Sequence, residues 1–140
     1  MTEFITKLRV YIEDTDFGGV VYHANYLHWI ERARTELLRA SGFEQQELMD
    51  QDLLFVIRGL DIRYRVSAKL DDEVVIKTAI SELRSASMVF SQKVFLAGSG
   101  SSVGALLCEA NVQVASVSVA SRKVIAVPKM ITDALGAYRV

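Results

Sequence analysis

Between Phe4 and Ile12 apolar and polar residues partly alternate, with Leu8, Val10 and Ile12 on one side and Lys7, Arg9 and Tyr11 on the other. A period of two belongs to a strand half buried against a core, so this segment is read as the first strand. From about Ala24 to Ser41 the period changes. Leu27, Ile30, Ala33, Leu37 and Leu38 form one apolar stripe, while Glu31, Arg32, Glu36 and Arg39 take much of the remaining circumference, which predicts an amphipathic helix. Gly42 supplies its stop. After a connection around Glu44 to Leu53, four stretches read as extended: Phe55 to Val66, Glu73 to Leu83, Met88 to Leu96 and Leu106 to Val119. Their breaks fall at Ala68 to Asp72, Arg84 to Ser87 and Gly98 to Gly104, the last ("GSGSSVG") a flexible hairpin loop. Pro128 blocks further sheet pairing and opens a short helix over "PKMITDAL".

A strand, one long helix and then a run of hairpin-linked strands exclude a doubly wound fold, because parallel strands each need a crossover connection. The expected architecture is a two-layer α+β domain, a curved antiparallel sheet wrapped around a long central helix. Its open edge strands invite pairing with a second copy.

Composition narrows the function classes. A length of 140 residues suits one domain over 1–140, and 51% hydrophobic residues supply its core. Sixteen basic residues nearly cancel 17 acidic ones and form no basic block, so nucleic acid is not the expected partner. The single cysteine, Cys108, has no second thiol to pair with, which removes disulfide frameworks and cysteine metal sites and fits a cytoplasmic location. The N-terminal stretch "MTEFITKLRVYIEDTD" mixes charge into every turn, and no signal peptide or membrane span is expected.

Several motifs compete for the chemistry. "GSSVG" at Gly100 to Gly104 matches the form of a serine-hydrolase elbow centred on Ser102, but an elbow needs a helix after it and a histidine later in the chain. Here a strand follows, and His23 and His28 both come earlier. The same glycines are no dinucleotide fingerprint, since no helix start follows them. Cys108 lies in an apolar strand without a basic neighbour and reads as core filler. His23 and His28 are five residues apart, which is not the spacing of a helical zinc pair, so no metal site is assigned.

What remains is "EDTDFGGVVYHANYLHWIERAR", Glu13 to Arg34. Asp16 lies between a strand end and Gly18-Gly19, whose lack of Cβ permits positive φ and close approach of a ligand to the backbone. The helix starts near His23 to Asn25, where its first N–H groups lack carbonyl partners and the dipole adds partial positive charge. A loop carboxylate beside an oxyanion-stabilising helix start is the pair that acyl-transfer hydrolysis needs. On spacing alone, N-capping by Asp16 or Asn25 accounts for the same residues at least as well.

The stretch "YIEDTDFGGVVYHANYLHWIERARTELLRASGF" closely resembles the signature of hotdog-fold acyl-CoA thioesterases of the 4-hydroxybenzoyl-CoA thioesterase family, YbgC-like branch. The likeness extends through "RYRVSAKLDDEVVI", "ELRSASMVFSQKVF" and "SRKVIAVP", so it spans nearly the whole chain. It implies a single hotdog domain that hydrolyses acyl-CoA without metal or redox cofactor, in homodimers joined edge to edge that commonly pair into homotetramers. Carried over by position, the resemblance places the catalytic aspartate on Asp16 and the carbonyl-polarising amide on His23, whose side chain is also implicated in this branch. Tyr22 and Asn25 would shape the site wall and the helix start, with Gly19 at the close approach to the ligand. The motif usually carries a small residue where this chain has Phe17, which would reshape the acyl pocket. Arg84, Arg122, Lys123 and Lys129 fall at strand ends and turns where coenzyme A phosphates could reach. Two other readings of the same fold are a hydroxyacyl-thioester dehydratase using Glu31 or Glu36, and a non-catalytic acyl-CoA-binding sensor. The absence of a proline-bearing histidine loop speaks against the first. The second lacks a recognisable DNA-binding segment and leaves Asp16 without a role.

Overall fold

A computed structural model of the protein describes residues 2–140. Its strands are β1 (Phe4–Arg9), β2 (Leu54–Tyr64), β3 (Glu73–Leu83), β4 (Ser87–Ala97) and β5 (Val103–Val117). The helices are α1 (His23–Ala40), α2 (Gln45–Asp50) and α3 (Lys129–Leu135), with short 3-10 turns at Ile12–Asp14 and Gly136–Tyr138. All five strands form one antiparallel sheet in the spatial order β1, β3, β4, β5, β2. Register shifts between Ile57 and Gly59, Ile80 and Glu82, and Val94 and Phe95 are bulges that bend the strands and curve the sheet.

Helix α1 buries Tyr26, Trp29, Ile30, Ala33, Leu37 and Leu38 in one cluster with Ile76, Ile80, Phe90, Val94 and Val112 of the sheet. Each fully buried aliphatic side chain stabilises the fold by about 1.5–3 kcal/mol. The helix ends as its glycine predicts. Gly42 takes φ 98°, the Gly42 N–H donates to the Arg39 carbonyl at 3.0 Å, and the Phe43 N–H donates to Leu38 at 2.9 Å. These bonds satisfy carbonyls that the last turn would leave orphaned.

The fold is the expected α+β sheet around a helix, with local corrections. Ile12 does not continue the buried side of β1. The strand stops at Arg9, Val10 is fully buried, and Ile12 is exposed in a 3-10 turn stabilised by the Asp14 carboxylate, which accepts the Tyr11 N–H at 2.8 Å. The Glu44 to Leu53 connection contains α2, a single helical stretch anchored by buried Leu48. In the Gly98 to Gly104 loop, strand resumes at Val103, and Ser102 Oγ donates to the Ser99 carbonyl at 2.6 Å across a hairpin tip.

The two sheet edges differ. Edge strand β1 is short and displays Lys7 and Arg9, the charged character that discourages edge pairing. Edge strand β2 has 11 residues, and Ile57, Leu60 and Tyr64 lie opposite Val114, Val112 and Cys108 of β5, on the core side of the sheet. They nevertheless stay 55%, 43% and 45% exposed. An apolar strip on the inner face of the sheet is therefore left uncovered by the chain's own helix.

Candidate active site

Beyond the 3-10 turn the chain doubles back in a tight loop closed by a bridge between Thr15 and Val21. The Asp16 N–H donates to the Val20 carbonyl at 3.0 Å and the Gly19 N–H to the Asp16 carbonyl at 3.1 Å. Gly19 has φ 81°, a left-handed conformation that favours glycine. Gly18 serves a different purpose. Its N–H donates to Asp16 Oδ1 at 2.8 Å, and a Cβ there would sit 3.1 Å from that oxygen. Asp16 is thus an exposed carboxylate oriented by one backbone donor, with its second oxygen free of hydrogen bonds among the described residues. Phe17, at the tip, is fully exposed.

Helix α1 begins immediately after this loop. Its N-cap residue is Tyr22, whose side chain makes no capping bond, so neither Asp16 nor Asn25 caps the helix. Asn25 Nδ2 instead donates to the Asp14 carbonyl at 2.9 Å, which also accepts the Tyr22 N–H at 2.9 Å, tying the loop to the first helical turn. Among the described residues the His23 and Ala24 N–H groups have no hydrogen-bond partner. They are free donors at the positive end of an 18-residue helix.

Two tyrosines hold this end in place. Tyr64, at the end of β2, donates its hydroxyl to the His23 carbonyl at 3.0 Å and sets its ring edge-on to the imidazole, centroids 6.0 Å apart. The buried Tyr26 hydroxyl accepts the Ala68 N–H at 3.0 Å, and the Ala68 carbonyl accepts from Val21 at 2.9 Å. Burial is the main cause that raises both phenol pKa values, so each stays a neutral hydroxyl at neutral pH. Sequence reading missed Tyr64 and the tethering role of Asp14. Their importance arises from contacts between segments, for which neither residue carries a local signal.

The structure brings Asp16, Phe17, Gly19, Tyr22, His23 and Asn25 together at one end of α1. It does not bring Arg84, Arg122 or Lys123 to them within one chain. Asp16 follows the end of β1, next to the start of β3 at Glu73, whereas Arg84 follows the end of that 11-residue strand, roughly 30 Å away at about 3.3 Å per residue. Arg122 and Lys123 belong to the turn after β5, where Val124 bridges Val117, opposite Leu54 of β2. Lys129 is engaged with Asp133 at 2.8 Å. Cys108 is fully buried and its pKa is pushed up to about 12, mainly by burial and secondarily by Glu109. That thiol is no nucleophile at neutral pH.

An uncapped helix start beside an oriented carboxylate, set on a curved sheet that wraps the helix, is an arrangement able to support acyl-transfer hydrolysis. The profile of the thioesterase superfamily matches residues 18–103. The chain is 46% identical over 132 residues to the acyl-CoA thioesterase YbgC of Haemophilus influenzae, covering 94% of this chain and 93% of that one. It is 45% identical over 130 residues to the acyl-CoA thioester hydrolase YbgC of Escherichia coli O6:H1, covering 93% of each. Among solved structures it superposes on a probable thioesterase from Bartonella henselae with a TM-score of 0.81 at 34% identity, covering 91% of this chain and all of that one. The chain belongs to the thioesterase superfamily and is a thioester hydrolase.

Proposed function

We propose that the chain hydrolyses acyl-CoA thioesters in the cytoplasm, with Asp16 delivering the attack and the backbone N–H of His23 receiving the negative charge. The observation that carries this reading is the free His23 N–H at an uncapped helix start, beside a carboxylate held by Gly18. Bound against the helix, the thioester carbonyl oxygen would accept from His23. Asp16 then either removes a proton from an attacking water or bonds directly to the carbonyl carbon. The electron pair of the C=O bond moves to oxygen, where the amide and the helix dipole stabilise it. Collapse of this intermediate expels the thiolate of coenzyme A and leaves a free acid, after a second attack by water if Asp16 had bonded to carbon. The similarity to proteins named acyl-CoA thioesterases supports coenzyme A as the carrier.

The working unit in this reading is a homodimer, paired through β2 and able to assemble further into a homotetramer. Antiparallel pairing of Leu54–Tyr64 with its copy about the middle of the strand sets Tyr64 of one chain across from Leu54 of the other. The uncovered strip of Ile57, Leu60 and Tyr64 would be buried, and the partner's Arg122 and Lys123 turn would approach the end where Asp16 lies, within reach of coenzyme A phosphates. Glu36, a candidate acid for dehydration, is instead paired with Arg39 on the exposed face of α1. Thiol release from an acyl-CoA panel tests the reading. Free thiol is expected with the native chain and not with Asp16→Asn, whereas an enoyl thioester and water formed from a 3-hydroxyacyl-CoA in the panel, without thiol, would establish a dehydratase.

A further inference from the structure

A cavity of about 220 Å³ lies between α1 and β2 at the end away from Tyr64 and His23, bounded by Leu38 of the helix and by Leu54, Phe55 and Ile57 of the strand. Arg34 also lines it and is only 8% exposed, an unusual position for a guanidinium. Its Nη1 donates to Gln92 Oε1 at 3.0 Å. Gln92 is fully buried and fixed in turn, with Nε2 donating to the Ile30 carbonyl at 2.9 Å and to Thr78 Oγ1 at 3.0 Å. Among the described residues no carboxylate lies within 4.0 Å of the Arg34 guanidinium. Its other nitrogens have no protein partner, yet they are not sealed, because among the described residues Thr6 Oγ1 is the only sealed side-chain polar atom without one. A largely buried cation with spare donors, in the wall of a cavity whose lining is mostly apolar but also includes Thr35 and Gln45, matches an oxygen anion of a ligand. Glu31 lines the same cavity but is exposed.

We propose that Arg34 is a specificity-determining residue whose free donors bind the terminal carboxylate of a short acyl group, with the thioester held at Asp16 of the other copy. This rests on the dimeric thioesterase reading above. Pairing β2 with its copy brings the Leu54 end of one strand, and the cavity beside it, next to the His23 end of the other. Within one chain that span is most of β2, an 11-residue strand, too long for a short acyl group. A cavity of about 220 Å³ has room for a four- or five-carbon acyl group ending in a carboxylate. Burial works against the charge on Arg34 and Glu31 partly restores it; a bound carboxylate would do so from within the cavity.

The test compares kcat/KM for glutaryl-CoA and pentanoyl-CoA, which differ at the distal end. Arg34→Met should lower the glutaryl to pentanoyl ratio at least about tenfold, the scale of one charge-assisted hydrogen bond, while pentanoyl-CoA turnover persists. Glu31→Gln should raise the ratio by removing a like charge. If Arg34→Met fails to fold, Arg34→Lys carries the same test, since it keeps the charge without the fork. Mixing then separates this inference from the reading beneath it. Asp16→Asn should be dead on both substrates, and Arg34→Met slowed selectively on glutaryl-CoA. Co-expression of the two should restore glutaryl-CoA hydrolysis, because the intact Asp16 of one copy meets the intact Arg34 of the other. An unchanged ratio in Arg34→Met, or equal losses on both substrates, overturns the role of Arg34. A changed ratio without restoration in verified mixed oligomers overturns the placement across the interface. An active Asp16→Asn variant would instead sink the thioesterase assignment to that residue.

Discussion

The two ends of α1 are built for opposite purposes. At its C-terminus Gly42 and Phe43 return their N–H groups to the last turn, and Ser41 Oγ adds a further bond to the Leu37 carbonyl at 2.9 Å. At its N-terminus, although Asp14, Asp16 and Asn25 are all close in sequence, none of them caps the first amides. Asp14 caps the preceding 3-10 turn, Asp16 bonds Gly18, and Asn25 ties back to Asp14. A helix start with capping residues at hand and left uncapped forgoes about 1 kcal/mol of stability. In the proposed mechanism the free donors it keeps stabilise the oxyanion, whereas the satisfied end offers no such donors.

That contrast can be broken from either side. The largest effect is expected from Asp16→Asn, which removes the carboxylate without altering the loop's shape and should lower kcat at least about a hundredfold with little change in thermal midpoint. Changing Phe17 to Ala should alter selectivity. Its fully exposed ring can meet substrate or the partner chain but not its own core. If it walls the acyl pocket, kcat/KM for branched or aromatic acyl-CoAs should rise about ten- to two-hundredfold relative to short straight chains. A uniform loss together with dissociation in sedimentation would assign the ring to the dimer interface.

At the satisfied end the consequences should be structural. Gly42→Ala forces an L side chain into φ 98° and should lower stability by about 1 kcal/mol while kcat/KM stays unchanged, as read by thermal melting beside the thiol assay. The smallest effect concerns Asp52, whose carboxylate accepts from Ser118 Oγ at 2.6 Å and from the Ala120 N–H at 2.9 Å. The Ser118 hydroxyl first, and the Ala120 amide second, hold its pKa below the ordinary carboxylate value. Its contribution is therefore complete above the unfolded pKa of about 3.9 and is lost as pH falls through the lower folded value. The difference in melting temperature between the native chain and Asp52→Asn should shrink over that acidic window and stay constant at neutral pH.

Much of this architecture could be read in the sequence because it rests on local periodicity. The α1 stripe, its glycine stop and the full extent of β3 all follow from residue order. Helix α2 did not, since "QQELMD" carries too few apolar residues to show a period and depends on the burial of Leu48. Ile12 was misplaced because alternation in sequence runs past the point where Asp14 turns the backbone. At the site, the segment containing Asp16 and His23 was legible as a motif. Tyr64 was not, because its contact with His23 joins residues 41 apart in sequence. Arg34 was hidden for a different reason. An arginine on an amphipathic helix reads as surface, and its buried partner, Gln92 of the sheet, lies 58 residues away in sequence.

The central claim is that the backbone N–H of His23, and not its ring, stabilises the oxyanion, and two substitutions at that one position test it. His23 is the first helical residue, and its predecessor Tyr22 is already extended at φ −63°, ψ 130°, so proline fits there with the helix intact. His23→Pro deletes the N–H, while His23→Ala deletes the imidazole and keeps it. Thiol release from an acyl-CoA, measured at saturating substrate on both folded variants, should show a loss of roughly a hundredfold to a thousandfold for His23→Pro. His23→Ala should lose clearly less than that and less than Asp16→Asn. Equal activity in the two variants, or an alanine variant as inactive as Asp16→Asn, would contradict the account and make the imidazole the catalytic group.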